Sequence, residues 1–314
     1  MTMTMTTMKA ARIHEFGDAS VIRYDEVPCP RPGLGEVLIR VAANSFNPTE
    51  AALRGGLLQG FLPVDLPYTL GWDVAGTVVE IGPAVEGFAV GDRVVGRLDG
   101  DGAAAEYVRA PAAVLTAAPQ SIPLAHAAAL PVAGLTAWQA VFEHGKITPG
   151  LRVLVNGAGG GVGGFVTQLA KYTGAEVIAT AGPRSTEAVL RQGADQVIDY
   201  TVRPVGAALD GPVDLLLNLV PLSPRDAAAL VPLVRQGGRI VSIATPVQSS
   251  ADAGVSAVHM VARNDVADLG ALVDLVDAGT VSVDVSSSRP LTDLSDVHRL
   301  SQAGLIRGKV LIVP

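Results

Sequence analysis

Leu151-Arg-Val-Leu-Val-Asn-Gly-Ala-Gly-Gly-Gly-Val-Gly-Gly164 runs directly into Phe165-Val-Thr-Gln-Leu-Ala-Lys171. The apolar residues 153–155 break into glycines, and an apolar pattern then resumes at helical spacing. This predicts a buried strand, a tight turn and a helix whose first turn carries almost no side chains. A helix start presents unpaired N–H groups and the positive end of the helix dipole, so an anion such as pyrophosphate settles there. Glycines let the backbone approach such a ligand and let the helix close on the strand. The register is Ala158-x-Gly160-x-x-Gly163, with alanine in the place of the first glycine. A second apolar run, Ala175-Glu-Val-Ile-Ala-Thr-Ala181, completes a βαβ unit. The turn therefore predicts a dinucleotide site whose phosphates lie on Ala158, Gly159, Gly160, Gly161, Val162 and Gly163.

The strand–helix alternation extends outward from this unit. Apolar runs at 196–199, 213–219 and 238–243 follow, separated by helix-like segments. Leu215-Leu-Leu217 has no polar face, as expected of a strand covered on both sides. Residues 123–265 thus predict a doubly wound parallel sheet. Residues 8–122 instead alternate short β-like runs (37–42, 75–81, 93–96, 105–109) with Gly/Pro turns, the pattern of a partly open barrel. The tail, 266–314, predicts a helix over 265–278, a strand over 281–285, a helix over 292–304 and a terminal strand over 308–313, placed to rejoin the first region. The fold class is α/β, with two domains.

The 314 residues are 49% hydrophobic and carry a net charge of −7, which argues against nucleic acid or an anionic membrane as partner. A single cysteine, Cys29, makes no internal disulfide and no cysteine-based metal cluster, so a reducing cytoplasm is the expected setting. Residues 1–7 (Met-Thr-Met-Thr-Met-Thr-Thr) read as a disordered extension without signal-peptide architecture. The longest apolar stretch, 127–142, is too short and too broken by Pro131, Gly134, Thr136 and Gln139 to span a bilayer.

An acid about twenty residues past the glycine turn holds the ribose 2′-OH in NAD-preferring sites. Here Ala179-Thr-Ala-Gly-Pro-Arg-Ser185 has none, and Arg184 stands where a guanidinium pairs with a 2′-phosphate. The cofactor expected is NADPH, with Thr180 and Arg184 in its site. The alternative reading of Arg184 is a solvated loop cation.

Several blocks together resemble the medium-chain dehydrogenase/reductase superfamily, in its zinc-independent quinone oxidoreductase branch. They are Met8-Lys-Ala-Ala-Arg-Ile-His-Glu-Phe-Gly17, Pro32-Gly-Leu-Gly-Glu-Val-Leu38, Ser45-Phe-Asn-Pro-Thr-Glu50, Leu70-Gly-Trp-Asp-Val-Ala-Gly76, Val90-Gly-Asp-Arg-Val94, Ala129-Leu-Pro-Val-Ala-Gly-Leu-Thr-Ala137, Gly193-Ala-Asp-Gln-Val-Ile-Asp-Tyr200 and Arg307-Gly-Lys-Val-Leu311. The resemblance implies a GroES-like catalytic domain built from both chain ends, a Rossmann domain inserted between, a cleft between the two, and a homodimer. Zinc-dependent relatives carry a cysteine near Asn47 and a His-Glu pair near Trp72-Asp73. This chain has neither, so no metal is expected.

The resemblance also implies site residues. Asn47 and Thr136 become the catalytic candidates, facing the nicotinamide; the competing readings are an Asn-Pro turn and a helix threonine bonded to its own turn. Tyr200, Ser242, Ile243, Ala244 and Lys309 join the cofactor set. Leu57, Leu58, Phe61, Tyr68 and Trp72 form an apolar substrate pocket, with a core or turn tyrosine as the competing reading of Tyr68. Glu50 and Asp73 read as structural hydrogen-bond partners. Quinone reductases often carry tyrosines five and eleven residues after the asparagine. Here these are Ala52 and Leu58, which excludes a tyrosine proton donor at the second place. The expected activity is NADPH-dependent hydride transfer to a quinone or α,β-unsaturated carbonyl. An enoyl reductase for polyketide-type or thioester intermediates stands as an alternative, as does a non-catalytic NADPH-binding sensor or structural protein.

Overall fold

A computed structural model describes residues 7–100, 102–248 and 254–314. It divides into two compact units: 1–132 with 264–277 and 285–314, and 133–263 with 278–284.

The first unit contains β1 (Thr7–Ile13), β2 (Ile22–Pro28), β3 (Glu36–Ser45), β4 (Tyr68–Thr69), β5 (Asp73–Ile81), β6 (Arg93–Arg97), β7 (Tyr107–Pro111) and β8 (Leu115–Ala117). The second holds β9 (Arg152–Asn156), β10 (Glu176–Ala181), β11 (Gln196–Asp199), β12 (Val213–Asn218), β13 (Val234–Ser242) and β14 (Ser256–His259). The chain then returns to the first unit with β15 (Val285–Pro290) and β16 (Lys309–Val313).

In the first unit β1 is flanked by β2 and β4, and a larger sheet runs β15-β16-β3-β5-β6-β8, with β7 also paired to β3. Neither sheet closes on itself. Val37, Ile39, Val74, Val78 and Val94 alternate inward and are fully buried, which is what fixes the register of β3, β5 and β6. The terminal strand pairs antiparallel with β3, Leu311 opposite Ser45, so the last strand of the chain joins the larger sheet of the first unit.

In the second unit the six strands are parallel, ordered β11-β10-β9-β12-β13-β14. Val153, Leu154 and Val155 are fully buried, as are Leu216 and Leu217, in keeping with a sheet covered on both faces. This is a Rossmann-type unit, and it carries the glycine turn between β9 and the helix Gly161–Tyr172.

Several boundaries differ from the sequence reading, each for a local reason. Thr7 is not part of an extension: it pairs with Pro28 in β1, while residues 1–6 lie outside the described residues. The first unit runs to Val132 rather than 122, because the Val132 N–H donates to the Asp73 carboxylate at 2.7 Å. The segment around the apolar stretch 127–142 is helical in pieces, with a break before Pro131. It comprises Leu124–Ala127, then Pro131–Trp138, then a wider π-type turn over Gln139–Gly145. The strand expected at 281–285 lies instead at 285–290, beside β16. Residues 278–284 belong to the Rossmann unit, where Gln168 grips Ser282. Its Oε1 accepts from Ser282 N (2.8 Å) and Oγ (2.9 Å), and its Nε2 donates to Ser282 O (3.0 Å).

That grip generates a prediction. Gln168→Leu removes all three bonds and leaves part-buried backbone groups of Ser282 without that partner, a loss of about 1–3 kcal/mol. The amides of residues 279–284 should exchange with deuterium at least about tenfold faster than in the wild type. Unchanged exchange there would show that the segment is held by something else.

Candidate functional site

The glycine turn is shaped by two close approaches. Gly157 has φ +99°, a left-handed conformation that costs glycine nothing. A Cβ on Gly163 would stand 2.3 Å from the Gly157 carbonyl oxygen, so only glycine lets the helix begin this near the strand. Gly160 is the N-cap residue and provides no side-chain cap. The amides at Gly161, Val162 and Gly163 therefore open the helix without a competing side-chain acceptor, the arrangement an anion requires.

The loop after β10 sits against this turn. A Cβ on Gly159 would meet Ser185 Oγ at 2.3 Å, and one on Gly182 would come within 3.5 Å of the Tyr200 hydroxyl. Arg184 and Tyr200 are both exposed here. The structure thus brings the phosphate turn, Arg184 and Tyr200 to one end of the sheet. Thr180 is buried. Its Oγ1 accepts from Gly157 N at 2.8 Å and donates to Asn156 Oδ1 at 3.0 Å. At the end of β13, Ser242 is buried, Ile243 is half-buried with its N–H on the Asn218 carbonyl (3.1 Å), and Ala244 is exposed. Thr136 lies half-buried on the helix Pro131–Trp138.

The first unit holds a different constellation. The end of β3, the start of β5 and the start of β16 converge, and with them Ser45, Asn47, Asp73 and Lys309, all buried. Lys309 Nζ donates to Asn47 Oδ1 at 2.8 Å and to the Phe46 carbonyl at 3.3 Å, and lies 3.5 Å from Asp73 Oδ2. Asn47 Nδ2 donates to the same Asp73 oxygen at 2.9 Å, and Ser45 Oγ donates to it as well. Nδ2 also lies 3.3 Å from the Ser45 carbonyl and 3.4 Å from Glu50 Oε1. Glu50, on the helix Pro48–Arg54, accepts from the Gly71 N–H at 2.9 Å.

This geometry bears on Asn47 and Lys309 directly. Both amide hydrogens of Asn47 face oxygens of its own unit, and its carbonyl oxygen faces Lys309. The three ammonium hydrogens of Lys309 likewise have three oxygens around them. Each side chain is held by the cluster in the structure described. Burial pushes the Glu50 carboxyl up to about 7, helped by the Asp73 carboxylate and opposed by the Gly71 N–H. Burial pulls the Lys309 ammonium down from the ordinary lysine range, against the carboxylates of Asp73 and Glu50.

The residues expected to line a substrate pocket separate into two groups. Leu57 and Phe61 are 81% and 76% exposed, and Leu58 is half-buried against the core beneath them. Tyr68 and Trp72 are core residues: Trp72 Nε1 donates to the Tyr68 hydroxyl (3.2 Å), which donates to the Gly100 carbonyl (2.9 Å). Sequence reasoning missed Ser45, Asn156 and Asn218. The last two carried a usable signal, since each is a polar residue ending an otherwise apolar strand.

Residues 33–120 match the family described as "Alcohol dehydrogenase GroES-like domain", and residues 192–312 match "Zinc-binding dehydrogenase". The chain is 34% identical to the chloroplast envelope quinone oxidoreductase homolog of Arabidopsis thaliana, over 98% of each chain. It is 30% identical to that plant's chloroplastic NADPH-dependent alkenal/one oxidoreductase, over 98% of this chain and 80% of the relative. Among solved structures, the quinone oxidoreductase of Coxiella burnetii superposes with TM-score 0.90 at 30% identity, over 98% of this chain and 99% of that one. The Escherichia coli quinone oxidoreductase, solved in complex with NADPH, gives 0.88 at 25% identity, over 98% and 100%. The chain belongs to the medium-chain dehydrogenase/reductase superfamily, in its quinone oxidoreductase-like branch.

Zinc does not fit the residues found here. Among the described residues no three His, Cys, Asp or Glu side chains gather as a metal site. The oxygens of Asp73 and Asn47 already face the Lys309 ammonium.

Glu50 yields a pH prediction. Its folded-state pKa lies above the ordinary 4.5, so the fold favours the protonated acid. That preference is fully present below about pH 4.5 and is lost as pH rises through about 7. The loss is on the order of 3 kcal/mol. Glu50→Gln stays neutral, so its urea midpoint should exceed that of the wild type at pH 8 and the two should converge at pH 4.5. Parallel midpoints across this range would rule out a buried acid.

Proposed function

We propose that the chain is an NADPH-dependent reductase that delivers hydride to a quinone or to the β-carbon of an α,β-unsaturated carbonyl compound, without a metal. The observation that carries the cofactor is the uncapped glycine turn set against an acid-free strand end bearing Arg184. The pyrophosphate rests on the amides of residues 161–163, and the Arg184 guanidinium pairs with the 2′-phosphate beside the Tyr200 ring. When bound, NADPH supplies the hydride. Thr136 and the backbone of Ser242, Ile243 and Ala244 hold the nicotinamide in place.

The substrate class is supported by the relatives named quinone oxidoreductase and alkenal/one oxidoreductase, and by the apolar side chains Leu57, Leu58 and Phe61. Reducing a quinone takes one hydride and one proton and yields the hydroquinone and NADP⁺. Leu58 stands where related enzymes keep a tyrosine, and the Asn47 hydrogens are committed to the buried cluster. Water therefore delivers the proton, and the protein contributes placement and exclusion of competing reactions. Metal-free chemistry is supported by the ammonium of Lys309 at the oxygens of Asn47 and Asp73. We place the enzyme in a reducing compartment such as the cytoplasm and read it as a homodimer. Among the described residues β14 pairs on one side only, leaving an edge for a second copy.

The test is NADPH and NADH oxidation with a panel of quinones, linear enones and enoyl thioesters. Quinones or enones should turn over with NADPH preferred. Enoyl thioesters as the best acceptors would favour the alternative reductase class. Tight NADPH binding with no turnover would make the chain a binding protein. Losing one charge-assisted hydrogen bond costs about 1.5–3 kcal/mol, roughly ten- to a hundredfold in affinity. Arg184→Ala should raise the KM for NADPH by about that factor and leave the KM for NADH within about twofold. An equal effect on both would assign the 2′-phosphate to another residue.

A further inference from the structure

Four side chains form one polar row across the carboxyl ends of four neighbouring Rossmann strands. Asn156 on β9 is level with Asn218 on β12, and Asn218 is level with Ser242 on β13. Thr180 on β10 is next in register on the other side, following the Ala179–Val155 pair. Thr180, Asn218 and Ser242 are buried and Asn156 is half-buried.

The shorter hydrogen bonds of this row run one way, beside a longer 3.4 Å approach of Ser242 Oγ to the Asn218 carbonyl. Gly157 N–H donates to Thr180 Oγ1 (2.8 Å), and the Thr180 hydroxyl donates to Asn156 Oδ1 (3.0 Å). Asn156 Nδ2 donates to Asn218 Oδ1 (2.9 Å), and Asn218 Nδ2 donates to Ser242 Oγ (3.0 Å). The Ser242 hydroxyl finally donates to the Thr245 carbonyl (2.6 Å). A backbone N–H can only donate and a carbonyl can only accept, so the two ends dictate the direction. That direction in turn fixes both amide orientations and both hydroxyl rotors. Aligned bonds polarise and strengthen one another, and the loss of one member leaves its neighbours unpaired in a buried setting.

The ends of the row are the two loops that matter for a dinucleotide. Gly157 opens the glycine turn, and Ser242–Thr245 forms the loop after β13. We propose that Thr180, Asn156, Asn218 and Ser242 are positioning residues that tie these two loops into one rigid piece. They thereby set the distance between the pyrophosphate cradle and the nicotinamide-lining segment. This rests on the NADPH reading given above. The row stops at a carbonyl, so it does not conduct protons; its role is mechanical. None of the four side chains needs to touch the cofactor, and the consequence is coupling between Thr180 and Ser242, which do not touch each other.

The test is a double-mutant cycle on the full-length protein, with dissociation constants for NADPH and for 2′,5′-ADP measured by titration calorimetry. The fragment reports the adenosine end alone. Thr180→Val and Ser242→Ala should each weaken NADPH by about tenfold and 2′,5′-ADP by less than about twofold. The double variant should lose about tenfold, not about a hundredfold, because one break already uncouples the loops. Thr180→Ser keeps the hydroxyl and should bind NADPH within about twofold of the wild type. Additive losses, or equal weakening of the fragment and the whole cofactor, would overturn the row as a coupling device. A wild-type chain that binds no NADPH would instead overturn the cofactor reading, and this proposal with it.

Discussion

One ammonium group organises the first unit. Lys309 Nζ lies among the oxygens of Asn47, Phe46 and Asp73, with Ser45 and Asn47 also bonded to the Asp73 carboxylate. A carboxylate buried to this degree needs a paired charge and directed hydrogen bonds, and removal of one partner from such a pair costs about 3–5 kcal/mol. Lys309 is near the end of the chain, whereas Ser45 and Asn47 come from its first fifty residues. The ion pair therefore secures the return of β16 to β3. It also holds Asn47, the residue the family resemblance singled out for the reacting centre, through its side-chain oxygen.

The Rossmann unit works from a different constraint, the absence of atoms. With no Cβ at Gly163 the helix begins against the Gly157 carbonyl, and with no side chain at the N-cap its first amides stay open. Selectivity then depends on what stands at the end of the next strand. Both features are local to the strand ends of one sheet, where open parallel sheets bind their ligands. The first unit instead exposes apolar side chains, Leu57 and Phe61.

The βαβ core was legible because its signals are short-range. An apolar run, glycines and a resumed helical pattern lie within about twenty residues; β9 and β10 appear within a residue of where the pattern puts them, and the helix between them starts inside the glycines. Positions decided by distant partners were not legible. Nothing around Ser282 announces that Gln168 will claim it, so the strand expected at 281–285 moved to 285–290. A core place for Tyr68 is among the sequence readings, but its bonds to the Gly100 carbonyl and the Trp72 indole depend on partners that no local pattern announces. Lys309 was singled out, but its partners lie more than two hundred residues away and no spacing rule reaches that far.

We propose that the Lys309 ammonium takes up oxygens of Asn47 and Asp73 that a metal could otherwise use, so that hydride transfer needs cofactor placement alone. The direct measurement is the NADPH-dependent quinone reduction rate of protein stripped of transition metals by chelation, with the metal content checked by elemental analysis. The account predicts a rate equal to that of the untreated enzyme and unchanged by added zinc. A rate that falls with the metal content and returns on adding zinc would contradict it.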